Sequence, residues 1–162
     1  MASNFDYSVS YPFSTAQMWD LISSEDYWKA LIARTNDDLG SVEEFSHDGD
    51  TVKVTTKQGI SASDLPSAIT AVRPGDLEIP RSIEFTNAGD TIIGAMEASV
   101  SGAPAKIHGD IIITGDPATA TYTGTTEVSI PLVGGRIEKA VIEQVQHLLD
   151  AERDATVEIQ QS

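Results

Sequence analysis

The chain opens on a strict alternation. Phe5, Tyr7, Val9 and Tyr11 fall on one face of an extended segment, and Asp6, Ser8 and Ser10 fall on the other. That period of two predicts a half-buried strand over 5–11. Pro12 stops it. Ser14-Thr15-Ala16-Gln17 then has the form of a capping box, with Phe13 and Met18 placed to close over it as a hydrophobic staple. A short helix over 15–23 carries Met18, Leu21 and Ile22 on one side, and Ser23-Ser24 interrupts it. A second helix over 25–33 carries Tyr27, Trp28, Leu31 and Ile32 as its apolar stripe.

From Leu39 the period returns to two. A strand over 39–46 meets a turn at His47-Asp48-Gly49-Asp50, and a second strand over 51–58 places Val52, Val54 and Thr56 opposite Thr51, Lys53, Thr55 and Lys57. Residues 60–77 break this rhythm. Leu65, Ile69 and Val72 are spaced for a short helix from Ser63 through Val72, closed by Pro74-Gly75-Asp76. Four further strands occupy 78–130. Their shared faces are Ile79, Arg81, Ile83 and Phe85; then Ile92, Gly94, Met96, Ala98 and Val100; then Ile107, Gly109, Ile111 and Ile113; then Ala118, Ala120, Tyr122, Gly124, Val128 and Ile130, opposite a run of threonines. The loops between them are short, which predicts an antiparallel meander. Gly134-Gly135 supply a hinge, and helical spacing runs over 135–158 through Ile137, Val141, Val145, Leu148 and Ala155, interrupted by Glu152. Such a helix is roughly 35 Å long.

The order β-α-α-β6-α defines an α+β fold in one domain over 1–162. A seven-stranded antiparallel sheet has one apolar face to cover, and the C-terminal helix is the only element long enough to cover it. The sheet is expected to curl around that helix. An empty apolar void costs about 24 cal/mol per Å³, so a ~300 Å³ pocket beneath the helix would cost roughly 7 kcal/mol. A pocket of that size therefore holds ligand or water, or collapses. Gly94, Ala98, Gly109, Ala118, Ala120 and Gly124 are small enough to leave room, while Tyr7, Tyr11, Trp19, Trp28 and Met96 are large enough to fill it.

Composition narrows the function classes. The formal charge is −15, from 25 acids against 10 bases. Nucleic-acid binding needs a basic footprint, and an anionic membrane repels such a surface, so neither partner is expected. No apolar run is long enough to cross a bilayer, and Met1–Asp6 has no leader-like pattern. With no cysteine, thiolate catalysis, Cys-ligated metals and disulfides are excluded. A cytoplasmic protein, monomeric or homodimeric, is the expectation.

His47, His108 and His147 lie apart in turn, strand and helix, without a ligand-pair spacing. No Gly-x-Ser-x-Gly elbow is present. Asp48-Gly49-Asp50 is a turn without the ligand series of a calcium loop, and Gly134-Gly135 lacks the rest of a phosphate cradle. No catalytic residue, metal or cofactor is assigned. Arg81 stands out because its strand phase places a guanidinium on the inner face. There it either receives a carboxylate or other acidic ligand head, or reaches the rim, or pairs with an acid such as Glu152.

Phe5–Tyr11 leading into Phe13–Trp19, Asp64-Leu65-Pro66 and, above all, Ile130-Pro131-Leu132-Val133-Gly134-Gly135-Arg136-Ile137-Glu138-Lys139 carry a resemblance. The chain resembles the START-like (SRPBCC, helix-grip) superfamily, which includes the birch-pollen-allergen family, polyketide cyclases and lipid-transfer START domains. It is most similar to an actinobacterial family of unknown function, number 2505, within that superfamily. The resemblance implies the helix-grip fold and a broad class: a binder of a small hydrophobic or amphipathic molecule held between sheet and C-terminal helix. The expected lining is Arg81, Ile83, Phe85, Met96, Ile111, Tyr122, Val141, Val145 and Leu148, with Leu65, Ile69 and Val72 on a lid. Two rivals remain: a polyketide-cyclase- or hydratase-like enzyme, using Arg81 with an acid or a tyrosine such as Tyr122, and a ligand-free protein-interaction module.

Overall fold

The computed structural model describes residues 2–35, 40–64, 67–71, 74–101 and 103–161. Alternation makes β1 (Ala2–Ser10), with Phe5 and Val9 buried. Ser14 caps α1 (Thr15–Ile22): its hydroxyl accepts from Gln17 N at 3.2 Å, and the Gln17 side chain accepts from Ser14 N at 2.9 Å. Phe13 and Met18 are both buried in the core beside this cap, as the staple requires. Ser23 ends α1, and α2 (Glu25–Thr35) follows, its Trp28 indole donating to the otherwise open Ile22 carbonyl at 2.9 Å.

The remaining strands are β2 (Ser41–Asp48), β3 (Thr51–Ile60), β4 (Leu77–Asn87), β5 (Thr91–Ser99), β6 (Ala105–Gly115) and β7 (Ala118–Val128), and α4 spans Gly134–Gln161. At 28 residues, α4 is roughly 42 Å long. The sheet is seven-stranded and antiparallel, in the order β1-β7-β6-β5-β4-β3-β2. The first strand thus pairs with the last, and the others form a meander. Leu39 lies outside the described residues. Between β3 and β4 the described part of the expected helix from Ser63 through Val72 holds a 3-10 turn (Ala62–Asp64) and a one-turn helix, α3 (Ser67–Thr70), and Leu65, Pro66 and Val72 lie outside the described residues.

Three contacts strap α4 to the edge strand. Ser3 donates to Glu138 Oε1 at 2.6 Å, Tyr7 donates to Asp150 Oδ1 at 2.6 Å, and Arg153 Nε donates to the Ser10 carbonyl at 2.8 Å. The second oxygen of Glu138 accepts from Val128 N at 2.9 Å, so one carboxylate joins β1, β7 and the second turn of α4. These two donors hold the Glu138 carboxyl below its ordinary range. Gly134 starts the helix where a Cβ would lie 2.5 Å from the Val128 carbonyl oxygen. Only glycine allows that approach.

The core divides into two apolar clusters. The larger gathers Phe5, Val9, Tyr11, Phe13, Met18, Tyr27, Trp28, Val52, Val54, Ile83, Phe85, Met96, Ile111 and their neighbours. The smaller gathers Leu77, Val100, Ala105, Val128 and Ile137 under the start of α4.

Candidate functional site

Strand register lays out the inner face as rows. One row crosses the whole sheet as Val42, Thr56, Arg81, Ala98, Ile107, Thr126 and Ser3. Its apolar members Ala98, Ile107 and Val42 belong to or pack on the larger cluster, and three other members carry polar groups that are buried: Thr56, Arg81 and Thr126. Gln58, two residues along β3 from Thr56 and therefore on the same face, is buried as well.

Arg81 reaches from this row to α4. Its Nη2 lies 3.1 Å from Glu152 Oε2 and 3.2 Å from Glu152 Oε1, with both residues buried, at 7% and 6% exposure. Of the three fates open to Arg81, pairing with Glu152 is the one observed. Burial opposes the charge on Arg81, but the Glu152 carboxylate outweighs it, and the guanidinium is held above its ordinary value. One turn along α4, Thr156 donates to the Glu152 carbonyl at 2.6 Å. Its proton is thereby used, so the 2.9 Å contact between Tyr27 and Thr156 has the Tyr27 hydroxyl as donor. Tyr11 and Tyr122 complete the cluster. Burial, and then the neighbouring Glu152 carboxylate and other phenols, raise Tyr11, Tyr27 and Tyr122 above the usual phenol value. At neutral pH the three phenols are therefore hydrogen-bond donors, not bases.

Several buried polar atoms have no hydrogen-bond partner among the described residues: Thr56 Oγ1, both Gln58 amide atoms, Arg81 Nε and Thr126 Oγ1, while Glu152 Oε2 has its ion-pair contact with Arg81 and no other. An unmet buried polar group costs about 1–3 kcal/mol, so their gathering on one face is expensive for a protein that keeps the face empty.

Above them the apolar stripe of α4 is unevenly covered. Ile137 and Glu138 near its start, and Leu149, Glu152, Ala155 and Thr156 towards its end, are buried. Val141, Ile142 and Val145 between them are only half-buried, although they pack against the core. Tyr122 on β7 is half-buried too and packs against the core. Leu148, placed in the stripe by its sequence spacing, is half-buried and Leu149 is the buried member. A 3.6-residue period carries the stripe through 141, 145 and 149.

The expected lining therefore separates into two groups. Arg81 and Tyr122 meet in the polar cluster, and Val141, Val145 and Leu148 border the thinly covered middle of α4. Ile83, Phe85, Met96 and Ile111 belong to packed core. The Phe85 ring packs on Trp28, tilted by 31° at a centroid distance of 5.9 Å, and lies against Gly94, while Met96 and Phe5 lie against Gly109. The glycines of that half leave no room because large neighbours occupy it. Of the lid candidates, Leu65 and Val72 lie outside the described residues. Ile69 is in α3, which packs on α4, and its side chain lies outside the described residues. Gln58, Thr126, Thr156 and Glu138 were not singled out as site residues from the sequence. Strand parity would have found the first two, since both share the phase of inward-facing neighbours.

The family described as "Protein of unknown function (DUF2505)" matches residues 6–159. The chain belongs to this family. An uncharacterized protein of Mycobacterium tuberculosis (Rv0481c) is 29% identical over 169 residues, covering 96% of this chain and 95% of the relative. Among solved structures, a protein from Thermus thermophilus (TTHA0849) matches with a TM-score of 0.62 at 13% identity, over 97% of this chain and 99% of that one. A START superfamily protein from Mycobacterium smegmatis matches with a TM-score of 0.56 at 12% identity, over 96% and 98%. This DUF2505 chain thus has a START-like, helix-grip fold. No helix among the described residues is long and apolar enough to cross a membrane.

Proposed function

We propose that this DUF2505 protein binds a small amphipathic molecule between the middle of α4 and the inner face of the sheet. The observation that carries this reading is the uneven cover of α4. A helix stripe buried at both ends and half-buried at Val141 and Val145, above a half-buried Tyr122, leaves apolar side chains without a full set of neighbours. A ligand chain supplies those neighbours, and its polar end meets the unpaired groups of the row beneath.

The enzyme reading has less support. Its candidate groups do converge, but Arg81 is neutralised by Glu152 and the phenols are held protonated, which leaves no poised base. The interaction-module reading looks for a broad exposed apolar patch. Ile93 and Ile112, at 50% and 48% exposure, are a single cross-strand pair on the outer face.

Filling the space tests the proposal. Val145→Trp is expected to abolish binding of an apolar reporter dye while keeping or raising the melting temperature, because the added ring occupies vacant volume. A lowered melting temperature, from overpacking worth about 1–3 kcal/mol, with dye binding unchanged, contradicts it.

A further inference from the structure

Resting on that reading, we infer that the site selects an electrically neutral molecule whose polar end both donates and accepts hydrogen bonds, an alcohol or a primary amide, over carboxylates and other ions. Arg81 is the only buried cation among the described residues, and Glu152 occupies it on the face where an acidic head would have to bind. The other described lysines and arginines are half or fully exposed. Among the described residues the buried charges are Arg81, Glu138 and Glu152, one more negative than positive. A carboxylate entering the interior finds the Arg81 charge already balanced by Glu152 and loses its hydration. An ammonium meets Glu138 already engaged by Ser3 and Val128, and Glu152 already engaged by Arg81.

What the face does offer is a balanced set of neutral-strength contacts. Gln58 Nε2 is a donor, Gln58 Oε1 an acceptor, and the Thr56 hydroxyl is either. Thr56 is the cross-strand partner of Arg81, and Gln58 lies two residues further along the same face. Two residues on one strand face are about 7 Å apart, so one hydroxyl or amide group lying between the Thr56 and Gln58 side chains can bond to both. Thr126 lies three strands from Arg81 in the same row, roughly 14 Å away at ~4.8 Å per strand, and is too distant to share that group.

The same atoms link selectivity to stability. In the free protein the Gln58 amide is buried and unmatched, so replacing it with an apolar side chain of similar size removes a penalty rather than a contact. Gln58→Leu is therefore expected to make the free protein more stable and to weaken ligand binding, a pairing that a purely structural glutamine does not produce.

The test compares four probes with one hydrocarbon tail, dodecanol, dodecanamide, dodecanoate and dodecylammonium, below their micelle-forming concentrations at neutral pH. Binding is read by calorimetry and by the side-chain amide resonances of Gln58, assigned through their loss in Gln58→Leu. The inference predicts that dodecanol and dodecanamide shift those resonances and bind at least about tenfold tighter than either ion. Gln58→Leu should lose that advantage while melting at a higher temperature, and Thr56→Val gives the same pattern if Gln58→Leu does not fold. Dodecanoate or dodecylammonium binding as tightly as the neutral probes overturns the inference and leaves the binding site standing. Failure of all four tails to bind overturns the site itself, and the inference with it.

Discussion

Arg81 on β4 and Glu152 on α4 form an ion pair with Nη2–Oε distances of 3.1 and 3.2 Å, closed from water between the sheet and the helix that crosses it. Removing one member leaves the other charge buried and uncompensated. Arg81→Met and Glu152→Leu are each expected to cost about 3–5 kcal/mol, and the double variant Arg81→Met/Glu152→Leu to recover most of the loss. Chemical denaturation of the three variants checks this. Strictly additive losses would show that the pair is not a coupled unit.

Glu138 gives the fold an acid-sensitive joint. Ser3 and Val128 both donate to its carboxylate and hold it below the ordinary glutamate value. A carboxyl depressed in the folded state contributes stability that is complete above its unfolded value of about 4.3 and is lost as pH falls through the lower folded value. Denaturation midpoints between neutral and strongly acidic pH should therefore fall more steeply for the native protein than for Glu138→Gln, which has no carboxyl to titrate. Parallel profiles for the two proteins would contradict this.

Tyrosine titration gives a second, independent check. All four tyrosines are shifted upward: Tyr11, Tyr27 and Tyr122 chiefly by burial, and Tyr7 chiefly through its bond to Asp150. A phenol raised in the folded state contributes stability that is complete below about pH 10, its unfolded value, and is lost as pH rises towards the folded value. Tyrosinate absorbance should stay flat through about pH 10 and then rise together with unfolding. A separate transition near 10 in the folded protein would show a phenol in ordinary surroundings.

How far these features could be read in advance varied with their physical origin. The strands and α4 follow from apolar periodicity, which is a local signal. Ser14 and Gln17 announced their cap because a capping box is fixed by four consecutive residues. Arg81 was visible by strand parity and Glu152 as a break in a helix stripe, and their contact brings together residues 71 positions apart. The penalties on Gln58 and Thr126 were not visible, since an unmet hydrogen bond is a property of everything around a group. The filling of the Gly94 and Gly109 depressions by Phe85, Met96 and Phe5 was equally hidden, because it depends on rotamers chosen by neighbouring strands.

Gly134 marks where the sequence signal and the geometry meet. A Cβ there would come within 2.5 Å of the Val128 carbonyl oxygen, so Gly134→Ala has to push α4 away from β7. A loss of about 1–3 kcal/mol is expected, together with weaker protection of the Val128 amide, which donates to Glu138, in hydrogen exchange. Wild-type stability and unchanged Val128 exchange would show that the helix can start elsewhere.

Native mass spectrometry of the protein isolated from the cells that make it tests the central claim most directly. The account predicts a folded species heavier than the polypeptide, carrying a small molecule that is released on denaturation and is missing from Val145→Trp. A folded species at the bare polypeptide mass, with Val145 and Tyr122 found in van der Waals contact in a crystal, would contradict it.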